Sequence, residues 1–311
     1  MIGRRSLLAA ATVSVVLPAV AQTRPALIAV VSEAQDNGAW VIRTISARLR
    51  ELGLRDDRDI VFIATTPWRA AEVVALGPAL FVTTGPQAIR AALAAMPDKP
   101  VLALTGELVA SGFAQSLARP GGRVTGVSFN SEDLNAKRLE LLLELEPRPA
   151  QVTVLADASI PVYGLREMEA TASALGIRLD LTSVKGSDDI DAAIDKALAS
   201  ATRGINVLAS PMLNANRLRI IARAQAERLP AIFQWPETAT EGGLMAYGPS
   251  LGQLYRSLGT MAARILRGMN VGDIPIERPT QFQLAINLRT ATALNLTVPT
   301  QLLARADEVI E

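Results

Sequence analysis

Short apolar runs alternate with amphipathic segments along most of the chain. Runs such as residues 26–31 (ALIAVV) and 101–104 (VLAL) lack the polar alternation of a half-exposed strand. Between such runs lie segments with apolar residues at a spacing near 3.6, for example residues 40–52, which end at Gly53. Buried strands that are each followed by a helix predict an α/β fold with parallel sheets covered on both faces.

The alternation of strand and helix occurs twice along the chain. The first half predicts strands at residues 26–31, 60–63, 79–82, 101–104 and 124–129, with helices at 40–52, 68–76 and 87–95. The second half predicts strands at residues 152–155, 177–181, 205–208 and 231–233, with helices at 165–175, 188–199 and 214–228. A connecting helix at 134–145 joins two Rossmann-like lobes.

The C-terminal part adds too few elements to close a third core. It predicts a strand at residues 242–249, a helix at 254–266 and a strand at 282–286. We expect these elements to return to the two lobes, so that several chain crossings form a well-defined hinge. The predicted lobes are residues 24–128 plus 248–277, and residues 129–247 plus 278–311.

Residues 1–21 predict a secretory signal peptide that is cleaved near Ala21. The pair Arg4-Arg5 precedes an apolar run at residues 7–20, and small residues follow at 19–21. The arginine pair is typical of the twin-arginine export signal. A membrane anchor is the alternative, but the run is shorter than the about 20 apolar residues that a spanning helix needs.

Composition excludes several classes of function. The 311 residues include no cysteine and no histidine, so disulfides, Cys/His metal sites, a Ser-His-Asp triad and a lipid anchor on cysteine are all impossible. The net charge is +1, and removal of residues 1–21, which hold two arginines and no acid, would make it −1. Without a basic stripe, nucleic acid is not an expected partner.

The junction Thr83-Thr84-Gly85-Pro86 is a candidate binding site. It follows a predicted strand and begins a predicted helix, and ligands of open α/β sheets bind at such carboxyl ends. Gly85 permits close backbone approach, Thr84 offers a hydroxyl, and the first N–H groups of the helix favour an anion. An ordinary helix start explains this one junction equally well.

Several other strand ends have the same polar character, and we expect them to line one cleft between the lobes. From the first lobe we predict ligand contacts by Ser32, Asn37, Thr84, Gly85, Gln87 and Thr105. From the second lobe we predict contacts by Asp157, Tyr163, Ser210, Met212 and Trp235. Asp157 would pair with a ligand amine, and the aromatic rings would stack on the ligand.

Several segments resemble the substrate-binding proteins of ABC transporters with the type I periplasmic-binding fold. The matching segments are SLARPGGRVTGVS at residues 116–128, GGLMAYGP at 242–249, YR at 255–256, ILRG at 265–268, INL at 286–288, AL at 293–294 and LLARADEVIE at 302–311. They occur in this order over essentially the whole chain after the predicted signal peptide.

The resemblance implies a monomeric periplasmic protein without catalysis or cofactor. It would capture a small molecule by hinge closure and deliver it to an ABC permease in the inner membrane. Members of this group are associated with amino acids and with aromatic or other small organic acids. The cleft departs from the family pattern, because Thr105-Gly106-Glu107 replaces a usual Asp-Pro, Arg123 a usual Asn, and Ser250 a usual Asp.

Two other functions remain open from the sequence. One is a ligand sensor of the same fold that presents itself to a membrane receptor. The other is an exported hydrolase that uses Glu107 and Asp157 as a carboxylate pair.

Overall fold

The computed structural model describes residues 24–32, 35–129, 132–145 and 151–311, with only the backbone of residues 35–37 and 132–133. The predicted signal peptide and the side chain of Asn37 lie outside the described residues, so both stay predictions. Within the described residues, no helix combines the length and apolar character needed to cross a bilayer.

The first sheet contains five parallel strands in the order β2-β1-β3-β4-β5. The strands are β1 Ala26–Val31, β2 Ile60–Thr65, β3 Leu80–Thr84, β4 Val101–Thr105 and β5 Val124–Ser128. On one side of β1, residues 27–31 pair with Val61–Thr65 of β2. On its other side, Ile28–Val31 pair with Leu80–Thr83 of β3. The central strands are buried on both faces, which explains their continuous apolar runs.

Helices cover both faces of this sheet. One face carries α1 Gln35–Glu51, together with α9 Leu251–Leu266 from much later in the chain. The other face carries a 3₁₀ helix, Pro67–Leu76, and α2 Pro86–Ala95. We call this sheet and its helices the first lobe.

The second sheet contains seven strands in the order β12-β11-β10-β9-β8-β6-β7. The strands are β6 Gln151–Asp157, β7 Arg178–Val184, β8 Ile205–Val207, β9 Ala231–Phe233, β10 Met245–Gly248, β11 Gln283–Asn287 and β12 Glu308–Ile310. We call this sheet and the helices packed on it the second lobe. The C-terminal strand β12 was not predicted.

Helices also cover both faces of the second sheet. One face carries α3 Glu132–Leu145 and α4 Leu165–Ala174, and the other carries α5 Asp189–Ala199 and α7 Arg217–Ala226. The remaining short helices are α6 Pro211–Ala215, α8 Glu237–Thr240, α10 Leu288–Ala293, α11 Thr300–Leu303 and a 3₁₀ turn, Val271–Asp273.

The prediction of one helix at residues 214–228 is wrong. Pro211 starts α6 earlier, because the Ser210 hydroxyl caps this helix by accepting a hydrogen bond from the Leu213 N–H at 3.0 Å. Asn216, with φ −98° and ψ 11°, then separates α6 from α7. The break brings α6 to the edge of the sheet where β8 ends.

One strand pair departs from the expected parallel arrangement. Strand β10 pairs with β11 in antiparallel register, with Ala246 opposite Ala285. Strand β10 leads out of the second sheet into α9 of the first lobe, and the chain returns into β11 after Glu277. Because the chain leaves and re-enters at the same end of the sheet, the two strands must run in opposite directions.

The described chain passes between the lobes at three places. These places follow Phe129, Gly248 and Glu277. Glu277 bridges Val127, and its backbone bonds to Gly126 and Ser128 at 2.9 Å. The Glu237 carboxylate in the second lobe accepts hydrogen bonds from the Ser250 hydroxyl and the Gly252 N–H at the start of α9. Several linked crossings restrict the lobes to a hinge motion.

Gly126 is required where β5 packs beside β4. Its φ is +146°, and a Cβ placed there would lie 2.0 Å from the Ala103 carbonyl oxygen. We therefore expect Gly126→Ala to lower the free energy of unfolding by about 3 kcal/mol, measured by urea denaturation. Gly122→Ala is the control, because a Cβ there meets no heavy atom within 4 Å. Equal stability of the two variants would contradict this packing.

Candidate ligand-binding cleft

The carboxyl ends of the two sheets face each other across a cleft. The cleft contains a cavity of about 260 Å³, whose lining includes residues that follow β3, β4, β6, β8 and β9. This volume lies just below the range of about 300–1,000 Å³ typical of drug-sized ligands. The cavity therefore fits a molecule of amino-acid size.

Six of the predicted site residues line this cavity. They are Thr84, Gly85, Thr105, Tyr163, Ser210 and Trp235. Both lobes contribute to this group, as the sequence predicted for loops after parallel strands.

Four other predicted residues have described side chains that do not line it. Ser32 is buried beside β2, and its N–H donates to the Thr65 carbonyl at 3.0 Å. Gln87 is exposed on α2, and Met212 packs against the core of the second lobe. Asp157 is buried behind the cavity wall.

The Asp157 carboxylate is occupied by its own loops. One oxygen accepts hydrogen bonds from the Ser159 N–H and hydroxyl at 2.8 and 2.7 Å, and the other accepts from the Ser210 hydroxyl at 2.7 Å. Asp157 thus ties the loop after β6 to the loop after β8. The structure places it as a support for the cavity wall, where a contact with a ligand amine was predicted.

Five aromatic side chains form much of the wall. Trp40 and Tyr255 of the first lobe pack edge to face with ring centroids 5.5 Å apart. Phe129, at a chain crossing, packs in the same way against Trp235 at 5.2 Å. Tyr163 adds a further ring from the second lobe. Such rings provide apolar surface for a flat ligand at little entropic cost.

A pair of hydroxyl groups lies on the first-lobe side. The oxygens of Thr84 and Tyr255 are 2.7 Å apart, and both residues line the cavity. Burial raises the pKa of the Tyr255 phenol to about 12, so the phenol stays protonated at neutral pH. One of the two hydroxyl protons forms the hydrogen bond within the pair, and the other remains for a ligand acceptor.

Two charged residues line the cavity among the described residues. Arg90 follows Pro86 by four residues, so the two share one face of α2, and its guanidinium carbon lies 5.5 Å from the Phe113 ring centroid. Glu107 is buried and forms an ion pair with Arg278 at 3.4 Å.

A buried polar network holds Asn135 in the second-lobe wall. The Asn135 amide donates to the Tyr163 carbonyl at 2.7 Å and accepts from the Arg138 guanidinium. Arg138 also donates to the Tyr247 carbonyl at 2.9 Å, and burial lowers its pKa to about 9, which leaves it charged at neutral pH. Arg138 thereby connects the cavity wall to the strand that precedes a hinge crossing.

The rims of the two lobes touch. Gly85 has a φ of +83°, and a Cβ there would lie 2.6 Å from the Pro211 ring across the cleft. At Gly106 a Cβ would lie 3.9 Å from the Tyr163 ring. The structure therefore represents a closed arrangement of the lobes.

Sequence reasoning missed several lining residues. They include Trp40, Arg90, Phe129, Asn135, Asn214 and Tyr255. Trp40 begins the helix predicted at residues 40–52, where an apolar residue is expected to pack against the sheet. The sequence gives no sign that α9, which carries Tyr255, packs beside α1. Only Arg90 had a usable signal, because it lies one helical turn after the predicted junction.

The two carboxylates named for the hydrolase alternative have separate surroundings. Glu107 lines the cavity and pairs with Arg278, whereas Asp157 does not line it and accepts hydrogen bonds from Ser159 and Ser210. No group of three acidic side chains suited to a metal ion occurs among the described residues.

The sequence matches the family described as ABC transporter substrate binding protein over residues 66–310. The chain belongs to this family. The match begins after β2, so it omits β1, α1 and β2 but includes the rest of both lobes. It agrees with the resemblance seen in the sequence.

Other proteins are similar to this chain in sequence or in structure. A tyrosine-binding protein from Clostridioides difficile is 28% identical over 218 residues, which are 67% of this chain and 60% of that protein. An ABC domain from Streptococcus pneumoniae, solved in complex with L-Trp, has a TM-score of 0.80 at 20% identity and covers 93% of this chain and 100% of that chain. A conserved domain protein from Vibrio cholerae also has a TM-score of 0.80, at 20% identity, covering 92% and 100%. These similarities establish the type I periplasmic-binding fold.

The supporting role of Asp157 predicts a loss of stability. Replacement by Ala leaves the Ser159 and Ser210 hydroxyls without their acceptor, so we expect Asp157→Ala to lower the free energy of unfolding by about 2–3 kcal/mol. Asp98→Asn, at an exposed turn, is the control and should change stability by less than about 0.5 kcal/mol. Urea denaturation measures both. An Asp157→Ala protein as stable as the wild type would show that Asp157 does not support the wall.

The raised pKa of Tyr255 predicts a pH dependence. The unfolded phenol ionises near pH 10 whereas the folded phenol keeps its proton to about pH 12, so its contribution to stability is complete below pH 10 and is lost as the pH rises to 12. Tyr255→Phe should therefore show a shallower loss of stability in this window, measured by denaturation at each pH. Parallel curves for the two proteins would contradict the burial of this phenol.

Proposed function

We propose that this protein is the solute-binding component of an ABC importer and binds a small organic molecule in the cleft between its lobes. The candidate ligands are amino acids and small organic or aromatic acids. The observation that carries this proposal is the cavity of about 260 Å³ between the lobes, walled by aromatic rings from both of them.

The cavity chemistry agrees with this ligand class. The walls offer flat apolar surface, while Thr84, Tyr255, Asn135 and Arg90 offer polar contacts. Membership in the substrate-binding family, and relatives named for tyrosine and solved with L-Trp, support the same class of ligand.

Hinge closure provides the mechanism of capture. A ligand that contacts both lobes stabilises the closed arrangement, because those contacts are lost when the rims separate. The crossings after Phe129, Gly248 and Glu277 allow this rotation while keeping the lobes in register. The closed rims, including the contact of Gly85 with Pro211, would then form the surface that a permease recognises.

The remaining parts of the proposal follow from the family and the sequence. The N-terminal signal at residues 1–21 would export the protein to the periplasm, where it acts as a monomer without catalysis. The lobes would comprise residues 24–128 plus 248–277, and residues 129–247 plus 278–311. Of the described residues that line the cavity, Glu107 is the only carboxylate, which supports binding over carboxylate-pair hydrolysis.

A thermal-shift screen of amino acids and of small organic and aromatic acids tests ligand binding. A ligand at 100 times its Kd should stabilise the protein by about 2.7 kcal/mol. Tyr163→Ala should weaken binding about fivefold, because one stacking ring is lost from the wall. Trp68→Ala is the matched control, since Trp68 is 70% exposed and outside the cavity, and it should leave affinity unchanged.

Calorimetry on both variants completes the test. Equal affinity of the wild-type and Tyr163→Ala proteins would place the ligand elsewhere. Failure of every compound in the screen to stabilise the wild-type protein would contradict the proposed ligand class. Loss of uptake of the bound compound in a deletion strain tests the transport step separately.

A further inference from the structure

The charged groups around the cavity distinguish between amino acids and acids that lack an ammonium group. We propose that the ligand is an aromatic carboxylate without an ammonium group, and that Arg90 binds its carboxylate. This inference rests on the proposed function and narrows it to one chemical class.

Arg90 is placed to receive an anion. It lines the cavity on the same face of α2 as Pro86, and its guanidinium lies over the Phe113 ring, which restrains the side chain. Among the described residues, no carboxylate lies within ion-pair distance of Arg90. Its charge and its N–H donors therefore remain for a ligand.

The acidic side of the cavity is already neutralised. Glu107 is the only carboxylate among the described lining residues, and Arg278 pairs with it at 3.4 Å. A ligand ammonium would have to compete with this guanidinium for a buried carboxylate. Among the described residues, the charged groups at or beside the cavity are Arg90, Glu107 and Arg278, whose charges sum to a positive value. This charge favours an anionic ligand over a zwitterion.

Asp157, the other acid considered for an amine, is not available. Its oxygens accept from Ser159 and Ser210, and its side chain does not line the cavity. The described second-lobe residues that line the cavity thus present neutral groups and aromatic rings. An ammonium group there would lose its water without gaining a charged partner.

The first-lobe wall adds a donor suited to a carboxylate. One hydroxyl proton of the Thr84–Tyr255 pair remains for a ligand acceptor, whichever of the two oxygens donates within the pair. Arg90 and this hydroxyl pair both belong to the first lobe. The aromatic body of the ligand would then extend toward Phe129 and Trp235.

Matched ligand pairs that differ only in the ammonium group test the proposal by calorimetry on the full mature chain. The pairs are L-tryptophan with indolepropanoate and L-phenylalanine with phenylpropanoate, and the neutral amides of both acids form a third arm. We expect the better acid to bind at least about tenfold more tightly than its amino acid. Arg90→Gln should weaken acid binding by at least about tenfold and change amide binding by less than about twofold.

Arg43→Gln is the matched control for net charge. Arg43 is exposed on α1 and outside the cavity, so its replacement should change neither affinity. Tighter binding of the amino acids than of the acids would overturn this inference and leave the proposed function standing. Equal loss of acid affinity in both arginine variants would also overturn it, by showing a long-range charge effect. Absence of binding by acids, amino acids and amides alike would overturn the inference, and the wider thermal-shift screen decides the proposed ligand class separately.

Discussion

Parallel pairing of β-strands brings every loop that follows a strand to the same edge of the sheet, and the cleft depends on this constraint. In the first sheet it places Thr84-Gly85-Pro86 beside Thr105-Gly106-Glu107. In the second it places the loops after β6, β8 and β9 side by side. Neither set of loops encloses a ligand by itself. A cavity forms only because the two edges are turned toward each other.

The chain crossings explain how the edges come to face one another. The helix α9 comes from the C-terminal part of the chain yet packs on α1 in the first lobe, while β11 and β12 extend the second sheet. Strands β10 and β11 are antiparallel because the chain leaves the second sheet for the first lobe and returns at the same, cleft-facing end. Glu237 of the second lobe binds the start of α9 after one crossing, and Glu277 pairs with β5 of the first lobe before another. The hinge is therefore built from the same segments that complete the two cores.

Periodicity predicted the fold well because it depends on local burial. Strand β1 has the bounds that its apolar run predicted, and the junction before α2 lies at the cavity as expected. Short helices such as α8 and α10 were not predicted, because four to six residues are too few to show a helical repeat of apolar positions. The break at Asn216 was not predicted, because it changes the backbone conformation without interrupting the helical spacing of the apolar residues.

The site was harder to predict, since side-chain direction is decided by tertiary neighbours. Asp157 lies at the cleft-facing end of β6, but its carboxylate accepts hydrogen bonds from Ser159 and Ser210 and does not line the cavity. Tyr255 reaches the cavity from a helix distant in the sequence.

One distance measurement tests the central claim of closure around a ligand. The chain has no cysteine, so Gln87→Cys with Ala158→Cys allows paired spin labels at two exposed positions on opposite rims. Addition of saturating aromatic ligand should shorten and narrow the distance distribution measured by electron paramagnetic resonance, whereas an unchanged distribution at proven saturation would contradict capture by lobe closure.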